Sequence, residues 1–206
     1  MPDSDGTHDL VFRTSTNLTA DRTVTYTLTD ANLAMALPPA LNINEGRCSL
    51  TSATPVTIAD VTAATTLYYA LYGGNRMSIY DGSNWNIVPL AELSLTGPAT
   101  ASTMYDVFVD YTAGTPALEA VAWTNDTTRA TALALQNGVY VQTSDTDSKY
   151  VCSFRTTTVV GQTEDSFARR YVWNYYNRVP RQMRAVEATA SWTYTTATWR
   201  QARATT

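Results

Sequence analysis

Histidine and cysteine, the side chains that most often catalyse reactions or bind metals, are scarce in this sequence. His8 is the single histidine, and it lies in the polar, acidic start MPDSDGTHD. A serine–histidine triad of the usual kind and a histidine-rich metal site are therefore excluded. Cys48 and Cys152 form no CxxC motif, and Gly73–Gly74 is typical of a turn and not of a phosphate-binding loop. The sequence predicts no catalytic residue, no metal site and no cofactor, and thus a protein that is not an enzyme.

Two groups of carboxylates deserve a chemical interpretation. Asp106 and Asp110 lie on one face of the predicted strand YDVFVDY, where a carboxylate pair could act as acid and base. No further polar groups can be placed beside them, so we interpret both as solvent-facing. Asp145 and Asp147, with Asp126 nearby in sequence, could bind Ca²⁺, but their loop lacks EF-hand spacing. We expect an ordinary polar hairpin turn there.

The segment RRYVWNYYNRVPRQMR, residues 169–184, interleaves arginines with aromatic residues. Such side chains stack on sugars or bases, and they also build cores and subunit interfaces. The net charge of −4 argues against nucleic acid as the main partner. We favour a core or an interface, with glycan binding as the alternative. The candidate inter-subunit contacts in this segment are Arg169, Arg170, Tyr175, Tyr176, Arg178 and Arg181. The candidate glycan contacts are Trp85, Trp123 and Trp173.

Charge is distributed unevenly along the chain. Lys149 is the single lysine beside thirteen arginines, which is typical of interfaces but also of GC-rich genomes. From Ser166 onward there are seven arginines and one acid, Glu187. This asymmetry favours packing between copies of the chain or an acidic partner, unless the basic face is simply solvated.

The elements that must position these residues are predicted to be strands. Three hairpins are expected, with turns at Asp81–Gly82, at Ala113–Gly114 and at SDTDS, residues 144–148. Together they predict an all-β fold, an antiparallel β-sandwich or barrel with an N-terminal extended β arm and little helix. Helix is expected over TTRATALALQ, residues 127–136, and is possible over 165–175. IADVTAATT, residues 58–66, reads as a short helical turn or a loop.

The two ends of the chain differ from its middle. RTVTYTLTD alternates strictly, and its apolar face consists of Val24, Tyr26 and Leu28. We therefore divide the chain into an arm (1–45), an antiparallel β domain (46–163) and a basic, aromatic segment (164–206) that packs on the domain or on a neighbour. The start has no apolar signal region, and no stretch is long enough to cross a bilayer, so we expect no membrane partner. With nothing to indicate an oxidising compartment, both cysteines are expected to be free, buried thiols.

Several stretches resemble surface proteins of tailed bacteriophages. DGTHDLVFRTSTNLTADRTVTYTLTDANL is similar to the Thr-rich strands of tail-fibre shafts. Residues 47–200 resemble a domain of fibre-type phage proteins through TSATPVTIADVTAATTLYYALYGGNRMSIYDGSNW, AWTNDTTRATALALQNGVYV, FARRYVWNYYNRVPRQMR and SWTYTTATWRQA. The resemblance covers nearly the whole chain, and no catalytic residue can be transferred through it.

The resemblance implies a structural virion protein that assembles in the host bacterial cytoplasm. Phage fibres are commonly homotrimers, so Val24, Tyr26 and Leu28 would pack between subunits; the alternative is that their strands join the chain's own sheet. Because the arm is short for a fibre shaft, we expect a capsid decoration (cement) protein that binds itself and the major capsid protein or another virion protein. The alternative is a tail-fibre or receptor-binding module that recognises host glycans.

Overall fold

A computed structural model describes residues 42–111 and 114–184, and every regular element in these ranges is a β-strand. The predicted arm strands, with Val24, Tyr26 and Leu28, lie outside the described residues. No helix in the described ranges is long and apolar enough to cross a membrane. The strands are β1 (Gly46–Ser49), β2 (Val61–Ala64), β3 (Thr66–Leu71), β4 (Arg76–Tyr80), β5 (Trp85–Pro89), β6 (Leu93–Thr96), β7 (Met104–Asp110), β8 (Ala117–Asn125), β9 (Thr128–Arg129), β10 (Leu133–Gln136), β11 (Val139–Gln142), β12 (Asp145–Arg155), β13 (Thr163–Asp165) and β14 (Val172–Asn174).

The strands form four antiparallel sheets, which confirms the all-β prediction. The large sheet has the order β10-β11-β12-β7-β8-β9, and β14 pairs with β12 outside this path. A three-stranded sheet has the order β1-β3-β6, while β4 pairs with β5 and β2 with β13. The hydrophobic core lies between the large sheet and the strands β1, β3, β4 and β5, which supply its other buried side chains.

Turn chemistry explains the hairpins. Asp81 accepts hydrogen bonds on Oδ1 from the backbone N–H groups of Ser83 (2.9 Å) and Asn84 (2.6 Å), and Gly82 has φ +89°. The predicted β4–β5 hairpin is confirmed, as is the β7–β8 hairpin, where Gly114 has φ +71°. The third turn is shorter than predicted, because Asp145 already belongs to β12.

The helix predictions are wrong. Residues 127–136 hold β9 and β10, because β10 pairs with β11 across a tight turn at Asn137 (φ +52°) and Gly138 (φ +85°). This Asn–Gly pair closes a hairpin and does not end a helix. Residues 165–175 hold the end of β13 and all of β14. The loop or helical turn expected at 58–66 contains β2, which pairs with β13.

The cysteines are also not as expected. Cys48 on β1 and Cys152 on β12 form a disulfide within the core, with Cα atoms 6.5 Å apart and both side chains buried. The prediction of free thiols is therefore wrong, although the prediction of burial is confirmed. The bond joins residues 104 positions apart in sequence and ties the three-stranded sheet to the large one.

Lys149 is fully buried although it forms no salt bridge with a described residue. Its Nζ donates hydrogen bonds to the carbonyl oxygens of Ile43 and Ser78, both at 3.0 Å, and to Ser78 Oγ at 3.3 Å. The Tyr176 ring centroid lies 5.1 Å from the same nitrogen. Burial lowers the pKa of Lys149 to about 7. The ammonium thus holds the chain at Ile43 against β4 and β12.

Reduction of the Cys48–Cys152 disulfide should destabilise the fold. Losing a cross-link that closes a loop of this length costs about 5 kcal/mol in chain-entropy terms. Urea unfolding monitored with and without reductant should show this loss, while a C48A/C152A double variant should be insensitive to reductant. Two free thiols in the unreduced, denatured protein, detected by alkylation and mass spectrometry, would refute the disulfide.

The stability of the protein should rise between pH 7 and pH 9 because of Lys149. Unfolded, this lysine keeps its proton up to its ordinary pKa of 10.5, whereas in the folded state the pKa is about 7. The unfolded state therefore binds more protons in this window, so the folded state gains stability as pH rises, by about 2 kcal/mol. Urea unfolding at several pH values should show this rise in the native protein and a flatter profile in Lys149→Met. Parallel profiles for the two proteins would contradict the assignment.

Candidate functional site

Strand β1 presents core residues on one face and cavity-lining polar residues on the other. Because side chains alternate along a strand, Cys48 and the following Leu50 point into the core, while Arg47 and Ser49 point the other way. Arg47 and Ser49 line a cavity of about 440 Å³. Only 5% of Arg47 is exposed, so this guanidinium is withdrawn from water at the cavity wall.

The C-terminal part of the described chain supplies the other wall. Asn174 on β14 pairs with β1 as a strand would, since Cys48 N donates to its Oδ1 (2.6 Å) and its Nδ2 donates to Cys48 O (2.9 Å). Asn177 Nδ2 donates to the carbonyl oxygens of Asn44 and Gly46. These amides satisfy the free edge of β1 and fix the aromatic, basic residues beside it. The other lining residues are Pro55, Thr57, Tyr150, Asp165, Arg170, Val172, Trp173, Tyr175, Arg178, Val179 and Arg181.

The cavity wall is electropositive, since it contains four arginines and one aspartate. Asp165 binds two of the arginines: Arg170 Nη1 lies 3.0 Å from its Oδ1, and Arg181 Nη1 lies 3.2 Å from its Oδ2. Arg47 and Arg178 form no ion pair with any carboxylate in the described ranges. Neither of these two guanidinium groups therefore has a carboxylate in contact, although the charge of Asp165 acts on Arg47 from a distance and raises its pKa.

Arg47 is the least satisfied of these arginines. Its Nε and Nη1 are buried and have no hydrogen-bond partner within the described part of the protein. The Tyr72 ring, with its centroid 5.8 Å from the guanidinium carbon, gives partial compensation. Burial lowers the pKa of Arg47, and the nearby charge of Arg181 lowers it further. Buried guanidinium nitrogens without partners are costly to the free protein, because nothing replaces the hydration that these atoms lose.

We call the cavity lined by Arg47, Arg170, Arg178 and Arg181 the arginine cavity, and an apolar rim adjoins it. A second cavity of about 310 Å³ shares Thr57, Arg170 and Arg181 with it and is also lined by Ile58 and Phe167. Ile58 is 91% exposed and Phe167 is 39% exposed. We call these two residues the apolar rim. Exposed apolar side chains beside arginines and aromatic residues are characteristic of protein interfaces.

The predicted inter-subunit residues of the C-terminal segment have contacts within the chain. Arg170 and Arg181 bind Asp165 as described, and Arg169 pairs with Glu164 at 3.3 Å. Tyr175 packs edge-on against the rings of Tyr140 and Tyr176, and Arg178 lies over Tyr175 at 5.5 Å. Of the predicted set in this segment, Arg170, Tyr175, Arg178 and Arg181 line the arginine cavity, whereas Arg169 and Tyr176 do not.

The three tryptophans predicted as glycan contacts lie in three different environments. Trp173 lines the arginine cavity and is 42% exposed. Trp123 lines a separate, shallow cavity of about 760 Å³, and the Arg129 guanidinium lies 4.6 Å from its ring centroid. Trp85 packs on Tyr80 and donates from Nε1 to Asn137 Oδ1 at 3.1 Å.

The interpretation of Asp106 as solvent-facing is wrong. Its side chain is buried, and its Oδ2 lies 2.6 Å from Arg129 Nε. Its Oδ1 accepts a hydrogen bond from Ser153 Oγ at 2.7 Å, and Ser153 in turn shares one with the Tyr150 hydroxyl. Every oxygen of this carboxylate thus has a partner, and the group stabilises the pairing of β7 with β12. Asp110, in contrast, is half-buried at the end of β7.

Of the three acidic residues considered for Ca²⁺, Asp145 and Asp147 lie close together and Asp126 does not. Carboxylate oxygens of Asp145 and Asp147 come within 4.8 Å of each other and of one from Asp110, a combination that the sequence did not indicate. The protonated Asp145 carboxyl can donate a hydrogen bond to the Asp147 side chain, and this bond raises the pKa of Asp145 to about 6. Asp126 lies elsewhere and pairs with Arg155 at 3.2 Å.

Sequence reasoning missed Arg47 as a site residue. The available signal was its position in RCSL, where the alternation puts an arginine on a strand whose other face is apolar. The described residues define an all-β protein of antiparallel sheets. In comparisons with protein-family models, curated proteins and solved structures, nothing matches this chain.

Replacement of Arg47 by methionine should stabilise the isolated protein. Methionine has a similar shape and removes a buried charge without leaving a carboxylate unpaired, so we expect a gain of about 1 kcal/mol or more. Thermal and urea unfolding would measure it. The matched control is Arg76→Met on β4, which removes an exposed ion pair with Glu45 and should cost at most about 0.5 kcal/mol. A destabilised Arg47→Met variant would show that Arg47 is satisfied within the fold.

Proposed function

We propose that this protein is a structural protein of a tailed bacteriophage virion, and specifically a homotrimeric capsid decoration protein that stabilises the head. The observation that carries the proposal is the adjacency of the arginine cavity and the apolar rim on one surface. The resemblance of the sequence to phage surface proteins supports the virion assignment.

A decoration protein acts by adding buried area across the joints between capsid subunits. The apolar rim supplies area whose burial is favourable at about 25 cal/mol per Å². The arginines around Asp165 supply directional contacts to acidic groups on a neighbour. In this proposal the protein catalyses no reaction and needs no cofactor, since its work is binding. Its partners are other copies of the chain and the major capsid protein or another virion protein.

A second candidate function is recognition of host surface glycans by a tail-fibre or receptor-binding module. Trp173 favours it, since its exposed ring borders a polar cavity where a sugar could stack. The apolar rim argues for a protein partner, because Ile58 and Phe167 give a sugar no hydrogen bonds.

The first test is the mass in solution, measured by light scattering after size exclusion. We expect a stable mass near three times 22.6 kDa. The next test is sedimentation with purified phage heads, in which the protein should co-sediment with assembled heads. A monomer that does not bind heads but is retained on a glycan array would support the alternative and refute the decoration role.

Variants of the apolar rim should separate binding from folding. Ile58→Ser and Phe167→Ser remove exposed apolar groups, so folding should be unchanged while head binding weakens by about tenfold or more. The matched control is Ile87→Ser on β5, where the side chain is also half exposed but lies outside both cavities. Equal loss of binding in the control and the rim variants would show that the rim is not the contact surface.

A further inference from the structure

The arginine cavity has the features of a receptor for a single carboxylate. We propose that an acidic side chain, Glu or Asp, of a partner protein enters this cavity and pairs with Arg47. The inference deepens the proposed function, because it rests on the cavity surface being a contact with a protein partner. It assigns a chemical identity to the group that is recognised.

The first step concerns the unpaired donors. Arg47 is 95% buried, and two of its nitrogen atoms lack partners in the described ranges, although a guanidinium offers five N–H donors. Water satisfies an exposed arginine, but it does not reach these two atoms in the free protein, so a partner group pairs with them only when the Arg47 side chain turns toward the cavity that it lines. A carboxylate is the group that matches a guanidinium in both charge and planar geometry. Its arrival would neutralise a charge that the free protein holds at a cost.

The second step concerns the charge that the cavity accepts. Asp165 pairs with both Arg170 and Arg181, so one carboxylate already engages these two arginines and leaves them with a net charge of +1. Arg178 donates from Nε to the Tyr175 carbonyl oxygen at 3.1 Å and is exposed. Among the described residues, Arg47 is therefore the desolvated cation of this wall that has no carboxylate partner. A single carboxylate of a partner is enough to pair with it.

The third step concerns the carrier of the carboxylate. The cavity of about 440 Å³ admits a side chain, and its wall includes Trp173, Tyr175 and Val172. These side chains would pack against the methylene groups of the entering Glu or Asp. The apolar rim next to it accepts the neighbouring residues of the same partner segment. This combination of a desolvated charge pair and adjoining apolar contacts is how protein interfaces concentrate binding energy.

The experiment uses the full-length protein and a set of short capped peptides with a central Glu or Asp flanked by apolar residues. Each peptide has a matched partner with Gln or Asn at the centre. Binding is measured by fluorescence anisotropy of labelled peptides. We expect acidic peptides to bind about tenfold more tightly than their amide partners, since a charge-assisted, desolvated pair contributes on this scale. Equal affinity of the acidic and amide peptides would overturn the proposal.

Two variants assign the effect to Arg47. Arg47→Met should abolish the preference for acid over amide while remaining folded, as its unfolding transition will show. Arg76→Met, which removes an arginine outside the cavity, should keep the full preference. If Arg47→Met retains the preference, the carboxylate binds elsewhere and the proposal fails.

Competition identifies the source of the anion. Inorganic phosphate and methyl glucuronide are added to the complex with the best acidic peptide, in comparison with a capped glutamate. Displacement by capped glutamate at the lowest concentration supports a protein carboxylate. Displacement first by methyl glucuronide would overturn it in favour of an acidic sugar, and first by phosphate in favour of a phosphorylated ligand.

Head binding by Arg47→Met separates this inference from the proposed function. If native protein and variant bind purified heads equally, the decoration role stands and the carboxylate receptor is refuted. If neither protein binds heads but the native protein still selects acidic peptides through Arg47, the receptor stands and the decoration role fails.

Discussion

The pairing of β12 with β7 is the interaction on which the rest of the fold depends. Tyr105 and Phe154 face each other across it, with ring centroids 5.2 Å apart, and both enter the core. On the other face, Phe108 meets Tyr150, and Tyr175 of the C-terminal segment packs on that tyrosine. Because both faces of this strand pair are covered, elements distant in sequence must assemble against it. The disulfide and β14 both attach to β12.

A register shift in the same pair decides where the buried charge lies. Tyr150 is opposite Phe108 and Cys152 is opposite Val107, so Val151 is an extra residue on β12. Without it, Lys149 would lie on the face of Ser153; with it, Lys149 lies on the core side, where it bonds to Ser78 and Ile43. One inserted residue thus moves the lysine from the face of Asp106 and Ser153 to the face where it bonds to Ser78 and to Ile43 at the start of the described chain.

Features that depend on neighbouring residues could be predicted from the sequence, whereas features that depend on distant contacts could not. The Asp81–Gly82 turn and the alternation of β7 depend on neighbouring residues, so the strand content and two hairpins were predictable. The helical composition of residues 127–136 was misleading, because pairing with β11 outweighs weak helix propensity. Three features depend on contacts between residues far apart in sequence and were not predictable. They are the disulfide, the carboxylate cluster and the burial of Asp106. The arginine-rich segment was recognised as a binding candidate, but its connection to Arg47 was not, since β1 and β14 meet only in three dimensions.

Arg129 and Arg47 show how the protein treats the charge of two arginines differently. Arg129 meets Asp106 at 2.6 Å, and that carboxylate is completed by Ser153, so the group contributes to the fold and has no capacity left for a ligand. Arg47 is far more buried than Arg129, whose side chain is 36% exposed, and it has no such partner within the described residues. The fold could satisfy Arg47 by placing an acid opposite β1, yet the acid nearby, Asp165, pairs with Arg170 and Arg181. Since an unpaired buried charge lowers stability, its presence is best understood if its partner comes from another molecule.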